Sequence, residues 1–147
     1  MKRKALIVAP ANRSAALAVA GTDVTVLLSD QDSETQQVTF QSGKEGSGPP
    51  PHSHGWDESF FVIRGQIQFT CDGETTSCGP GTLVHIPAGT IHAFSYGAGG
   101  GEMLEVTSGA TKSVQSFIAL DREIPPGPPD IPKIVRVAGE YGVTFHP

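Results

Sequence analysis

The sequence predicts an all-β fold, a sandwich or barrel of short strands, and three observations lead there. Stretches rich in β-branched and aromatic residues recur at short intervals from Asp23 onward, separated by turn signals rich in Gly, Pro, Asp and Ser. The 147 residues include 18 Gly and 12 Pro, while charged residues are only 17%, a composition of many turns and few exposed helices. Finally, Asp72-Gly73 lies between two such stretches and is a strong two-residue hairpin signal. A mass of 15.4 kDa suits a single domain with a sizeable core. That domain spans residues 1–147, with a barrel core over about 23–120 and a C-terminal arm over about 121–147.

Taken in order, Lys4 to Val8 reads as an N-terminal strand. The basic residues before it and Ala18-Val19-Ala20 after it resemble a signal peptide with its cleavage site, but Pro10, Asn12 and Arg13 interrupt the apolar run. A docked strand is the favoured reading. Ser14 to Val19 is a strand or one helical turn. Asp23 to Leu28 alternates, with Val24, Val26 and Leu28 on one face, and Ser29 to Glu34 is a polar turn. Thr35 to Gln41 alternates with Val38 and Phe40 on one face. Gly43 to Pro51 is a Gly/Pro loop whose Pro49-Pro50-Pro51 is extended, stiff and donates no N–H.

Ser59 to Ile63 is a strand, and Gln66–Cys71 with Glu74–Cys78 forms the hairpin, which sets Cys71 opposite Glu74 and Cys78 opposite Ile67. Further strands follow over Thr82–Ile86, Ile91–Tyr96, Glu102–Thr107 and Val114–Leu120. Ile124 to Pro129 is too rich in proline for regular structure. Asp130 is placed to cap a helix reaching about Glu140, with Pro132 in its first turn and Gly142 ending it. The arm either covers an open end of its own barrel or docks on another subunit.

A net charge of −5 and a pI near 5.4, with no basic run, argue against nucleic acid as a partner. No stretch is long enough to span a membrane. The hairpin register holds Cys71 and Cys78 too far apart to bridge, which reads as two free thiols in a reducing cytoplasm.

The chemistry concentrates between Gly46 and His92. His52 and His54, at i and i+2 of an extended chain, point to one face, and Glu58 has the same parity. Imidazole with carboxylate suits Fe, Mn, Ni, Co, Cu or Zn. Gly81 to His92 supplies a fourth candidate, His92. By alternation, Phe60 and Val62 share the side of Glu58, Phe94 and Tyr96 share that of His92, and Phe40 is a plausible wall, together an apolar substrate pocket. Trp56 and Asp57 belong at its mouth. His85 reads as a satisfied barrel or surface histidine, and His146 as surface.

At these residues a resemblance becomes specific. Gly46, His52, His54, Glu58 and Gly65 match the first cupin motif, G-x5-H-x-H-x3-E-x6-G. Gly81, Pro87, Gly89 and His92 match the second, G-x5-P-x-G-x2-H-x3-N, with Tyr96 in place of the final Asn. The resemblance implies a double-stranded β-helix, or jelly-roll barrel, holding one divalent metal through His52, His54, Glu58 and His92. The Pro-Pro-Pro-His-x-His lead-in and the Pro-rich tail are similar to small quercetinase-like cupins. That likeness implies an iron-type or related metal-dependent dioxygenase that cleaves an aromatic or enol-type substrate such as a flavonol with O2. Glu58 is then either a permanent ligand or the catalytic base. A non-oxidative isomerase, cyclase or lyase and a non-catalytic binding protein are the alternatives. A homodimer is expected, with the N-terminal strand or the tail crossing to the partner.

Overall fold

The computed structural model describes residues 3–146. Eleven strands form two sheets, followed near the C-terminus by two helices. The strands are β1 Leu17–Val19, β2 Thr22–Leu28, β3 Gln36–Gly43, β4 His52–His54, β5 Glu58–Arg64, β6 Ile67–Cys71, β7 Glu74–Cys78, β8 Leu83–Ile86, β9 His92–Tyr96, β10 Gly101–Ser108 and β11 Val143–Phe145. The helices are α1 Ser113–Glu123 and α2 Ile131–Glu140. One sheet has the order β1-β2-β3-β10-β5-β8 and the other β11-β4-β9-β6-β7. The two sheets enclose the barrel of a jelly roll, with the histidine-bearing strands β4 and β9 adjacent in the smaller sheet.

The hairpin forms in the expected register, Cys71 opposite Glu74 and Cys78 opposite Ile67. Asp72 (φ 49°) and Gly73 (φ 84°) take the two left-handed positions that a type I′ turn requires. Both cysteines are free. The barrel core is aromatic and aliphatic: Phe60, Phe69, Phe94 and Tyr96 stack against Val62, Ile67, Ile86 and Met103.

Three expectations fail, each for a physical reason. Lys4 to Val8 is not a strand. Residues 3–9 pair with nothing in the sheets, Leu6 and Ile7 are 54% and 89% exposed, and a short 3-10 turn follows at Pro10–Asn12. Val114 to Leu120 is not a strand but most of α1. Its inward residues Ser113, Ser116, Phe117 and Leu120 recur at i, i+3, i+4 and i+7, the helical period, and β-branched content masked it. The arm therefore begins near Gly109 rather than Asp121. Phe40 is not inside the barrel. On β3 the buried residues are Gln37, Thr39 and Gln41, while Phe40 lies on the outer face with the Arg13 guanidinium 4.6 Å above its ring.

The arm folds onto its own barrel. Asp130 Oδ1 accepts the Lys133 N–H at 3.2 Å as the cap of α2, and Gly142 (φ 83°) turns the chain into β11. A second core joins arm to barrel, built from Ala119, Leu120, Val137, Ala138 and Val143 against Val19 and Val24. Burial of Leu120 or Val137 contributes about 1.5–3 kcal/mol each, so these contacts help hold the arm in place. Among the described residues no helix is long and apolar enough to cross a membrane.

Candidate metal centre

The three histidines come together at strand ends near one mouth of the barrel. His52 and His54 begin and end β4, His92 opens β9, and the His52 and His92 backbones are register partners. Glu58 opens β5 in the facing sheet. Local chemistry fixes the approach. The Gly89 N–H donates to the His54 carbonyl at 2.9 Å. Gly48 (φ 144°) runs so close to Phe94 that a Cβ would collide with its carbonyl, which lets the stiff Pro49–Pro51 segment reach β4. One nitrogen from each of the three rings lies within 4.8 Å of the others.

The tautomers follow from the backbone. Nδ1 of His52, His54 and His92 meets the carbonyls of Pro50, Trp56 and Thr90, each at 2.9 Å. A carbonyl only accepts, so each Nδ1 carries a hydrogen and each neutral ring presents its Nε2 lone pair. Yet Nε2 of His54 lies 2.9 Å from Glu58 Oε2, and Nε2 of His92 lies 3.1 Å from Oε1. Two lone pairs at that distance repel unless a positive charge lies between them. Protons serve in the metal-free protein. A metal ion serves equally well, because two ligand atoms about 2.1 Å from one ion at a right angle are about 3.0 Å apart. The site fits a divalent transition metal on its own geometry and donor set.

The electrostatics agree. Burial pushes the Glu58 carboxyl up, but hydrogen bonds from His54 and His92 outweigh it and bring it down to about 2. Burial likewise pulls His92 down, but its bond to Glu58 prevails and the pKa is raised. His52 is lowered to about 4, by burial first and by the nearby His92 second. A ring held neutral in this way is ready to ligate.

A cavity of about 60 Å³ lies beside these residues, lined by His52, His54 and Glu58 and roofed by Phe117 and Leu120 of α1. Of the residues assigned to a pocket by alternation, Phe60 and Phe94 line it. Val62 and Tyr96 sit deeper, in the barrel core, and Phe40 is outside. The Tyr96 hydroxyl is buried with Thr22 as its neighbour, and burial raises its pKa. Trp56 stacks on His54 at 4.3 Å and 8° under the arm, while Asp57 is exposed and accepts the Ala88 N–H. His85 is a surface histidine bonded to Ser59. His146 is less free than expected, its Nε2 lying 2.7 Å from the half-buried Ser53 hydroxyl.

One site residue was invisible to alternation. Glu105 of β10 is 2% exposed and lines the cavity beside Glu58, two register positions away on the adjacent strand of the same sheet. Thr39 Oγ1 donates to its Oε1 at 3.1 Å, and Gln41 Nε2 donates to Thr39 at 3.1 Å. Burial raises the Glu105 pKa well above the carboxylate range, and the charge of Glu58 raises it further. Both causes favour the protonated carboxyl, the form that can donate a hydrogen bond. Leu104 and Val106, its apolar neighbours, point outward, so the apolar set on this strand indicates the wrong face.

Comparison with known proteins gives this arrangement its relatives. The Cupin_2 family, described as the cupin domain, matches residues 37–108. Quercetin 2,3-dioxygenase of Bacillus subtilis is 27% identical over 71 residues, which is 47% of this chain and 21% of that protein. An uncharacterized Streptomyces coelicolor protein is 40% identical over 43 residues, 29% of this chain and 41% of that one. The match thus spans well under two thirds of either curated relative. Among solved structures, the polyketide cyclase RemF from Streptomyces resistomycificus superposes with a TM-score of 0.65 at 23% identity, covering 71% of this chain and 80% of that one. KdgF from a Halomonas species gives 0.67 at 14% identity, covering 76% and 99%. At these identities the structural likenesses establish the fold. With both histidine motifs, the two-sheet barrel and the family match in agreement, the chain belongs to the cupin superfamily.

Proposed function

We propose that this cupin is a metal-dependent enzyme acting on a small, largely apolar molecule that carries an enolic or phenolic hydroxyl, and that it is a dioxygenase. The observation that carries the proposal is the Nε2–carboxylate geometry at 2.9 and 3.1 Å, with every Nδ1 already committed to a carbonyl. His52, His54, Glu58 and His92 would hold the ion. A bound divalent metal supplies Lewis acidity toward a substrate oxygen and, with a redox-active ion, one-electron chemistry with O2. The protein's own part is positional and protic. The cavity walls Phe60, Phe94, Phe117 and Leu120 exclude water and take up the apolar body of the substrate. Glu58 is the carboxylate that would accept the substrate hydroxyl proton at an Oε atom; its pKa of about 2 comes from the His54 and His92 hydrogen bonds of the metal-free fold, which weaken it as a base while they last. The similarity to quercetin 2,3-dioxygenase across the motif region supports the oxygenase reading.

The cavity bears on substrate size. About 60 Å³ holds a handful of water-sized groups, so a three-ring flavonol requires movement of the arm, and a smaller enol fits without it.

Glu105 supports a second reading. A carboxyl biased toward its protonated form beside an anionic one makes an acid–base pair, which is what a non-oxidative isomerase, cyclase or lyase needs. The two readings separate by turnover of a panel of small enols, diketones and catechols on Fe-, Ni- or Mn-loaded protein, with and without O2. Turnover that requires O2 is the expected result. Equal anaerobic turnover rejects the oxygenase and promotes the Lewis-acid reading, and tight binding without turnover on either arm points to a non-catalytic binder. The free thiols Cys71 and Cys78 support a reducing, cytoplasmic setting.

A further inference from the structure

The strand that carries two of the three histidines is short and poorly supported by the barrel itself. β4 has three residues and shares a single register pair with β9, His52 with His92. Its other edge is covered along its whole length by β11, with Val143, Thr144 and Phe145 opposite His54, Ser53 and His52. Two contacts extend the clasp: the His146 N–H donates to the Pro51 carbonyl at 2.8 Å, and His146 Nε2 meets Ser53 Oγ at 2.7 Å. Phe145 adds its ring 6.0 Å from that of His52. β11 is itself held by α2 and by Val143 in the second core. The same arm roofs the cavity through Phe117 and Leu120.

We propose that β11 is a positioning strand for the metal site, and that docking of the C-terminal arm and metal binding are thermodynamically linked. The inference rests on the reading that the three histidines bind a metal. With β11 in place, β4 is an interior strand with both edges paired. With β11 displaced, β4 is an edge strand of three residues tied at one point, and His52 and His54 lose their fixed separation. A ligand set must be pre-arranged to bind well, so the metal favours the docked arm. By reciprocity it stabilises docking by the same factor that docking raises its affinity. Admission of a substrate larger than the cavity would move the same arm, which couples substrate size to the hold on the metal.

The ladder identifies the test position. Since His146 and Pro51 form a hydrogen-bonded pair, the alternation of an antiparallel ladder makes Thr144 and Ser53 the other such pair. The Thr144 side chain is exposed, so its replacement leaves the core intact. Thr144→Pro deletes the N–H, and Thr144→Val keeps it. Zn(II) affinity is measured by chelator competition on the full chain, with the emission of Trp56, the single tryptophan, as a reporter of the docked arm. The expected result is a Zn(II) dissociation constant raised about tenfold or more in Thr144→Pro, with red-shifted Trp56 emission, and near wild-type values in Thr144→Val. Amide exchange of residues 143–146 in the wild type gives a second readout that needs no variant, and Zn(II) is expected to slow it. Zn(II) binding by Thr144→Pro within twofold of Thr144→Val overturns the inference while leaving the metal site standing. Unchanged exchange on adding Zn(II) overturns it as well. Absence of Zn(II) binding by the wild type overturns the metal reading and this inference together.

Discussion

Replacing Glu58 by glutamine keeps the side chain's shape and removes its charge, which separates its two proposed roles. In the metal-free protein Glu58 accepts from His54 at 2.9 Å and His92 at 3.1 Å, both buried. Each charge-assisted bond is worth about 1.5–3 kcal/mol. In Glu58→Gln one amide hydrogen can serve one Nε2 and the amide oxygen remains an acceptor, so one such bond is retained in weaker form. The expected loss of stability at neutral pH is about 2 kcal/mol by urea titration. For the metal, exchange of an anionic ligand for a neutral one is expected to raise the dissociation constant at least about tenfold, or ~1.4 kcal/mol. For turnover, removal of the base is expected to cost about 10²–10⁴ in kcat, measured on variant protein saturated with metal so that occupancy is equal. A kcat within a few fold of wild type at full occupancy refutes the base role. An unchanged metal affinity refutes the ligand role.

Further predictions follow from the same geometry. His52, held neutral with a folded pKa of about 4 against 6.5, leaves the unfolded chain binding the extra proton between those values, so its contribution to metal-free stability falls as pH drops through that window. His92 acts oppositely, but its contribution is complete below 6.5 and offsets nothing there, while Glu58, about 2 against 4.5, extends the loss to lower pH. Glu105, whose raised pKa makes the fold bind the extra proton above 4.5, has the opposite sign and offsets His52 over much of that window. The loss of about 1–3 kcal/mol from pH 6.5 to 4 is therefore expected from denaturant midpoints of Glu105→Gln, and a flat profile in that variant contradicts the neutral His52. Because burial and the neighbouring Glu58 favour a protonated Glu105, Glu105→Gln is expected to change stability by under about 1 kcal/mol and Glu105→Ala to cost about 2–4; a severe loss in the Gln variant would mean a charged Glu105. A homodimer is expected through the outer face of the six-stranded sheet, where Phe61, Ile63, Leu83 and Val106 are exposed and Leu6 and Ile7 add to the apolar surface. Light scattering at micromolar concentration should give twice the chain mass and Phe61→Asp a monomer, whereas a wild-type monomer rejects the interface.

The fold class was legible because its signals are local. The Asp72-Gly73 turn fixes one hairpin register by backbone sterics alone, and the cap, proline and terminal glycine of α2 each act within a turn or two of their own position. Convergence of His52, His54 and His92 was legible through motif spacing, which encodes a known arrangement. Alternation then failed twice for one reason. It assumes that apolar residues face the interior, and β3 and β10 bear apolar residues on both counts outward: Phe40, Leu104 and Val106 lie outside while Thr39, Gln41 and Glu105 line the barrel.

What the sequence alone determined is the class of fold and the identity of the histidine cluster, since turn chemistry and ligand spacing depend on near neighbours in the chain. Tertiary structure decided everything that depends on which face meets which. Only the packed barrel shows that Glu105, 47 residues beyond Glu58 in the chain, shares its cavity. Only the closed arm shows that Val114–Leu120 is helical and that Val143–Phe145 returns to pair with His52–His54. The reason is physical. A strand three residues long has no stability of its own, so whether β11 exists at all is settled by the partner strand and the core it meets, and those are distant in sequence.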